Sequence, residues 1–380
     1  MHIVFLTNEY PKKGFPHGGV GTFIHTISKA LVKQSHSISI VGINTYSNNY
    51  EEFDDKGVKV YRLKPKKIKG ITWLLNTIKI NQQINKIHAY NPIDIVESAE
   101  LGLAFIKKKP VINYIVRLHG GHHFFAESER RRINWWKGFQ EKLSFKKADG
   151  FIAVSNYVKL HTAKYLGYHG KPIRVINIPI SFAKFSPSEY NIIKEQSIVF
   201  VGTVCEKKGI KQLIQSLGFI DAKYKNVHLN VYGRDWFFTN GKSYINYLKE
   251  ELRKEDLDKV TFHGAVDHDD LPKIYEEAHV CAFPSHMETQ GLVAPEAMAM
   301  EKVVVFTNLG PGPETITPFE TGLLCNPLDP SDIAKNINWV FSNNQAVKTI
   351  GKKAREAVIK KFNPDKILSH NINFYQEFIS

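Results

Sequence analysis

Short apolar stretches recur along the whole chain, with amphipathic segments between many of them, and this alternation leaves few folds open. "HIVFLTN" (2–8), "SISIVGI" (37–43), "VKVYRL" (58–63), "DIVES" (94–98), "INYIVRL" (112–118), "FIAVS" (151–155) and "IRVINI" (173–178) read as strands rich in Ile and Val. A segment such as "TFIHTISKALVKQ" (22–34) places apolar residues at 23, 24, 27, 30 and 31, the spacing of one helix face. Strands that are apolar on both sides, separated by helices, predict a parallel sheet covered on both faces. The pattern restarts after "SFAKFSP" (181–187), with "SIVFVGT" (197–203), "VHLNVYG" (227–233), "VTFHGAV" (260–266), "HVCAFPS" (279–285), "VVVFTN" (303–308) and "GLLCNP" (322–327). At 380 residues the chain also exceeds the roughly 250 to 300 that one core serves. The expected fold class is therefore α/β, two doubly wound domains over 1–186 and 187–363 that face each other across a cleft. A last helix in 364–380, with Ile367, Ile372, Tyr375 and Phe378 at helical spacing, is expected to pack back towards the first domain.

In open α/β sheets ligands bind at the carboxyl ends of strands, and the motifs of interest follow strands here. "HGGVGTF" (17–23) opens a helix. Gly19 and Gly21 would let backbone N–H groups approach a phosphate, though a plain turn is the competing reading. Ile24 stands where a dinucleotide fingerprint needs its third glycine, and Asn44 where it needs an acid, which argues against a nicotinamide cofactor. No G-x-x-x-x-G-K-[ST] loop occurs. His119 follows a strand in "VRLHGGHHFF", suited to a sugar hydroxyl or phosphate and equally to a structural role. "FVGTVCEKKGIKQLI" (200–214) sets Lys208 at the mouth of a helix, an arrangement that suits a diphosphate. "PSHMETQGLVAPEAMA" (284–299) holds Glu288 and Glu296 around Gly291. Pro295 as the first helical residue would put Glu296 in the first turn, so that the two carboxylates flank a ligand rather than line one helix. The bland alternative is a glutamate that complements the helix dipole.

No metal is expected. His122 and His123 lack a matching carboxylate or thiol, and Cys205, Cys281 and Cys325 fit neither a zinc spacing nor a disulfide framework. The aspartates of "DHDD" (267–270) are read as capping the helix that follows. The cysteine usage, the absence of a signal-peptide core and of any membrane-spanning run predict a reducing, cytoplasmic setting. Charge divides unevenly along the chain. Residues 1–186 carry 29 Lys and Arg against 12 Asp and Glu, whereas 187–380 carry 22 against 25. "RLKPKKIKGITWLLNTIKI" (62–80) and "ERRRINWWKGFQEKLSFKK" (129–147) mix cations with Trp, Leu and Phe. Three readings stay open for them: peripheral contact with an anionic membrane face, a core with solvated charges, or a polyanion.

"PSHMETQGLVAPEAMAMEKVVV" together with "FVGTVCEKKG" resembles the E-x7-E signature and phosphate loop of family 4 glycosyltransferases, which are retaining, metal-independent enzymes with the GT-B fold of two Rossmann-like domains. The "GGVG", "VRLHG", "DGFIAVS", "NVYG", "VTFHGAV" and "GLLCNPLDPSDIA" segments follow in the family's order. The resemblance implies that Glu288 lies near the donor sugar, Glu296 holds the ribose and Lys208 pairs with the diphosphate. Gly291 and Leu292 would offer backbone N–H groups, Gly19 and Gly21 would border the phosphate from the first domain, His119 would face the sugar, and Ala265 and Val266 would line the base. The chain departs from the pattern at Thr203, where the family usually has an arginine; Thr203 or Lys207 would then serve the phosphate. It departs also at Thr289 and Gln290 after the first glutamate, and at Asp235 after "YG".

The expected function is that of a retaining hexosyltransferase that moves a sugar from a nucleoside diphosphate sugar, UDP being the first choice on family frequency, to a hydroxyl of a glycan or lipid-linked acceptor. It needs no cofactor, and no nucleic acid is expected as a partner. The alternatives are a nucleotide-sugar epimerase or sugar phosphorylase of similar architecture, and a non-catalytic polyanion-binding protein.

Overall fold

The structure, a computed structural model, describes residues 1–15, 18–128, 131–187 and 192–379. The chain divides into two compact units, Met1–Ile178 with Asp365–Ser380, and Pro179–Pro364. The first seam thus falls eight residues ahead of the expected 186/187. Ile180 and Phe185, placed by the sequence reading with the first domain, are buried members of the second unit's core.

The first unit is built on an eight-stranded sheet of β1 (His2–Leu6), β2 (Ser37–Ile43), β3 (Glu51–Asp55), β4 (Val58–Leu63), β5 (Ile95–Ala99), β6 (Asn113–Leu118), β7 (Gly150–Ala153) and β8 (Ile173–Val175), in the order β3-β4-β2-β1-β5-β6-β7-β8. All neighbours run parallel except β3 against β4. Strand β3, "EEFDD", carries four carboxylates and no alternation that announces a strand. It forms because Lys56 and Gly57 both take positive φ (54° and 90°), the signature of a tight I′ hairpin turn, and because an edge strand tolerates charge. Glu51 lies opposite Arg62 in register and pairs with it at 2.9 Å.

The closing helix, Pro364–Gln376, belongs to this unit from Asp365 onward. Its buried face is Ile367, Leu368, Asn371, Phe374 and Tyr375, whereas Ile372 is only half-buried. Asn371 and Tyr375 reach a charge pair in the middle of the sheet. Arg117 on β6, with no solvent exposure, donates to Glu97 on β5 at 2.7 and 3.1 Å, to Asn371 Oδ1 at 2.6 Å and to Tyr375 Oη at 3.2 Å. The Tyr375 hydroxyl donates to Glu97 at 2.7 Å. A buried ion pair depends on further hydrogen bonds, and the last helix supplies several, while Arg117 Nη1 is buried without a partner among the described residues.

The second unit carries a six-stranded parallel sheet of β9 (Ser197–Val201), β10 (His228–Tyr232), β11 (Val260–Gly264), β12 (Val280–Phe283), β13 (Val304–Thr307) and β14 (Leu323–Cys325), ordered β11-β10-β9-β12-β13-β14. Its central strands are buried throughout, as strands covered by helices on both faces must be. In both sheets the chain reverses direction of travel once, between β1 and β5 in the first and between β9 and β12 in the second. These reversals open the crevices in which doubly wound sheets hold ligands. Among the described residues no helix is long and apolar enough to cross a membrane.

Candidate active site

In the second unit the loops after β9 and β12 meet at the reversal. Gly209 makes this contact. A β-carbon there would lie 1.8 Å from the Pro284 carbonyl oxygen, and its φ of 69° is one that side chains disfavour. His286 N–H closes the contact on the Lys207 carbonyl at 2.9 Å. Lys208, in the 3-10 turn Glu206–Lys208 just before the helix Ile210–Ser216, is thereby set against the β12 loop. Its Nζ lies 2.6 Å from Glu288 Oε1, and Ser285 Oγ donates to the same oxygen at 2.8 Å. Glu288 is buried, so the pair is shielded from solvent.

Gly291, with φ of 71°, turns the chain into the next helix, and a β-carbon on it would strike Phe306 at 2.6 Å. That helix runs Val293–Ala299. Pro295 is therefore its third residue, not its first. Proline is tolerated throughout the first turn because those N–H groups have no intrahelical partner, so it does not mark the starting residue. Glu296 nonetheless stays in the first turn, and Leu292 sits at the cap. Glu296 is buried and held from two sides. Lys184 Nζ donates to His268 Nδ1 at 2.6 Å, which leaves the ring proton on Nε2 to donate to Glu296 Oε1 at 2.9 Å. The Tyr275 hydroxyl reaches Oε2 at 3.5 Å. Burial, and then the charge of Glu296, push the Tyr275 phenol well above its ordinary range, so it remains a donor. Ala265 and Val266 lie in the loop leading from β11 to His268.

The "DHDD" aspartates do not cap the helix that follows. Asp270 occupies the cap position without a side-chain hydrogen bond, and Asp269 lies 2.5 Å from Lys184. The 3-10 turn His268–Asp270 tightens this entry and aims its side chains at Lys184 and Glu296 instead.

Thr203 lies just beyond β9. The β9–β10 register pairs Val201 with Tyr232 and resumes beyond the strand ends at Val204 and Asp235. The same offset sets Arg234 level with Thr203 along the chain, and the Val204 N–H donates to the Arg234 carbonyl at 2.9 Å. The neighbouring Asp235 carboxylate accepts from Ser243 Oγ at 2.5 Å and from Ile245 N–H at 3.1 Å. Arg234 is exposed. Sequence reasoning passed it over because its position beside Thr203 depends on strand register; the departure of "YGRD" from the family pattern was the available signal.

The first unit has its own cavity of about 270 Å³ at the carboxyl ends of β1 and β5, lined by Thr7, Glu9, Ser98, Arg117 and His119 among others. A larger hollow of about 530 Å³, bordered by His2, Ser37 and Lys59, lies at the amino ends of β1, β2 and β4, the end doubly wound sheets do not use for ligands. Gly19 begins the helix Gly19–Lys33. Gly21 is buried where a β-carbon would meet the Glu9 carbonyl at 2.2 Å, which alone accounts for a glycine at that position. The His119 ring packs 5.6 Å from Phe23. Burial first, then the charge of Arg117, lower its pKa to about 3, so the ring is neutral.

The loop beyond His119 is fastened by two buried carboxylates that the sequence reading did not single out. Glu100 accepts from Gly120 N–H at 2.7 Å, and Glu141 accepts from the N–H groups of His122 and His123 and from the His123 ring. The His122 Nε2 accepts from Asn134 N–H at 2.8 Å. Both histidine rings are thus engaged in fixing the loop, and among the described residues no group of three His, Cys, Asp or Glu side chains is arranged to hold a metal ion.

Burial, with the Glu141 charge adding to it, raises the Glu100 pKa to about 8. Between the ordinary carboxylate range and pH 8 the folded state then holds a proton that the unfolded state has released, so stability falls as pH rises through that window. Glu100→Gln keeps an acceptor for Gly120 and removes the titration. Melting temperatures from pH 5 to 9 should fall less steeply for the variant, which ends a few degrees above the parent at pH 8.5. Parallel curves would show that Glu100 titrates normally.

Two family profiles adjoin along the chain, residues 17–183 matching Glycosyltransferase Family 4 and residues 184–357 matching Glycosyl transferases group 1. An uncharacterized glycosyltransferase of Methanocaldococcus jannaschii is 26% identical over 378 residues, 99% of each chain. Among solved structures, sucrose-phosphate synthase from Thermosynechococcus elongatus superposes with a TM-score of 0.85 at 22% identity, covering 99% of this chain and 98% of the other. Anabaena HepE in complex with UDP-glucose gives 0.78 at 18%, covering 99% and 100%. With both halves matched and two parallel-dominated α/β units in the structure, the chain belongs to the family 4 glycosyltransferases of GT-B fold, enzymes that transfer a sugar from a nucleotide sugar.

Proposed function

We propose that this chain is a retaining hexosyltransferase of cytoplasmic setting that uses a UDP-sugar without a metal ion and delivers the sugar to a hydroxyl of a glycan or lipid-linked acceptor, met at an anionic membrane surface. The observation that carries the reading is the Lys208–Glu288 pair at the β9/β12 reversal, with the buried Glu296 on the helix that follows the same β12 loop. Lysine has three donors and only one is taken by Glu288, so Lys208 can hold a phosphate oxygen while keeping its carboxylate neighbour. The N–H groups at the start of the short helix add to the stabilisation of the leaving diphosphate. Glu296 accepts the ribose hydroxyls, and its hold by His268 and Tyr275 keeps the carboxylate aimed while Ala265 and Val266 flank the base. Gly291 and Leu292 serve the phosphates.

In the reaction the bond between the anomeric carbon and the diphosphate oxygen breaks, and the diphosphate takes the electron pair. The acceptor oxygen bonds the same carbon from the face the diphosphate leaves, and its proton passes to a diphosphate oxygen. Configuration is retained, and Glu288 supports the positive charge that develops on the sugar rather than attacking it. HepE, a structural neighbour that holds UDP-glucose, supports uridine as the base.

Thermal unfolding with UDP, GDP, ADP and NADH, no metal added, tests this reading. A nucleoside diphosphate at 100 times its dissociation constant adds about 2.7 kcal/mol to the folded state, and UDP should give the largest shift. A shift with NADH alone would overturn it, and sugar products formed without an acceptor would favour the epimerase alternative. Arg234 is assigned the phosphate charge that Thr203 lacks. Arg234→Ala should weaken UDP binding three- to tenfold in a calorimetric titration and leave uridine binding unchanged, and adding Thr203→Arg should restore the loss. Equal UDP affinity in parent and Arg234→Ala would remove Arg234 from the site.

A further inference from the structure

The two basic aromatic segments, some sixty residues apart in sequence, form one surface. Trp73, at the start of the helix Thr72–Tyr90, lies 4.5 Å from Phe105 and 5.2 Å from Trp136 between ring centroids. On the helix Trp135–Lys147, Trp136 and Trp135 each lie about 6 Å from Phe139, nearly parallel to it. These five rings are not core. Trp135 is 76% exposed, Phe139 43% and Trp73 37%, which sets aside the reading of this region as core with solvated charges. The Thr72–Tyr90 helix buries only Ile84 and Ile87, far from its aromatic end, while Ile71, Leu74 and Ile78 extend the apolar face into solvent. Contiguous exposed apolar surface of this kind marks a contact site.

Its border is positive. The loop carrying Lys64, Lys66, Lys67 and Lys69 is tied onto the same helix, Lys66 N–H to Asn76 at 2.8 Å and Ile68 N–H to Thr72 at 2.9 Å. Lys66, Lys67, Lys69, Arg132 and Lys137 are exposed around the rings. Burial, and then the charges of Lys66 and Lys64, lower the pKa of Lys79, a sign of how closely the cations crowd. The carboxylate within these described segments, Glu141, is fully buried and bonded to the His122–His123 backbone, so it neutralises none of them.

We infer that the Trp73–Phe105–Trp135–Trp136–Phe139 face, with its lysine and arginine border, is a docking surface for an anionic lipid bilayer. Tryptophans at the headgroup level and cations outside them are the two elements such adsorption uses, and their arrangement here is complementary to a negatively charged sheet with an apolar interior. A polyanion without bases, such as a sulfated or phosphate polymer, would use the cations and leave the exposed rings without a role. The inference deepens the membrane partner of the reading above and rests on this surface, not on the transfer chemistry.

Flotation of the full chain with vesicles of phosphatidylcholine alone, and with one-quarter phosphatidylglycerol, tests it. Binding is expected to the anionic vesicles only, weakening as NaCl is raised from 0.05 to 0.5 M. Trp135→Ala with Phe139→Ala, and separately Lys66→Glu with Lys67→Glu and Lys69→Glu, should each reduce binding at least tenfold, at melting temperatures and UDP shifts equal to the parent's. No binding to anionic vesicles, or binding indifferent to the aromatic pair and matched by heparin, would overturn the inference. Because the UDP shift is read in the same samples, loss of vesicle binding and failure of the transferase reading are told apart.

Discussion

Glu288→Gln is expected to lower turnover by about 10²- to 10³-fold, the range found when one preorganised electrostatic group is removed from an active site. Affinity for UDP should stay within about threefold of the parent or rise. The direction follows from the geometry. In the unliganded protein the Glu288 carboxylate takes one of the Lys208 donors at 2.6 Å, and its negative charge opposes that of an incoming diphosphate. Replacing the carboxylate with an amide leaves an acceptor for Ser285 and removes that repulsion. A charge that stabilises only the transition state then disappears from kcat without raising KM. Steady-state kinetics beside a UDP titration separate the two effects, and turnover equal to the parent's would show that Glu288 is only a tether for Lys208.

Lys208→Ala is expected to act in the opposite sense. A charge-assisted phosphate bond is worth about 1.5 to 3 kcal/mol, so UDP binding should weaken by about 10- to 150-fold, while uridine, which has no phosphate, binds as before. The variant also leaves Glu288 buried with Ser285 as its remaining side-chain donor among those described, a burden that a buried carboxylate bears poorly. Lys208→Ala combined with Glu288→Gln removes that burden. The double variant should recover the parent's melting temperature without recovering UDP affinity, and recovery of both would mean that the single variant failed by misfolding of the loop. Calorimetric titration of the three variants with UDP and uridine decides between these outcomes.

Lys208 and Glu288 could be picked out in the sequence because each follows directly on a strand, and the strands themselves announce their order through unbroken Ile and Val. Neither residue needs a distant partner to be noticed. Arg234, His268 and Glu141 were harder. Arg234 matters through a register that sets it level with Thr203, and register is a property of two strands at once. His268 was hidden among aspartates whose pattern suggested a cap, yet it lies where the backbone turns its ring between Lys184 and Glu296. Glu141 looked like one more charge on a basic helix, and only burial shows that it fastens the loop beyond His119. Strand β3 escaped notice because its side chains argue against a strand, and the hairpin turn at Lys56 and Gly57 overrides them. In each case tertiary pairing decided what the local pattern could not.

The contribution of Asn371 and Tyr375 to Arg117 has a consequence for biosynthesis. A ribosome makes the first unit's eight strands before any of the second unit, yet partners that serve the middle of that sheet are encoded only after the whole of the second unit. The nascent amino-terminal half emerges with a guanidinium positioned for burial and two of its acceptors still unsynthesised. The second unit, continuous from Pro179 to Pro364, has no such debt to later sequence and can close first. The half of the protein that is translated first is thus the half that finishes folding last, once the helix Pro364–Gln376 has been made.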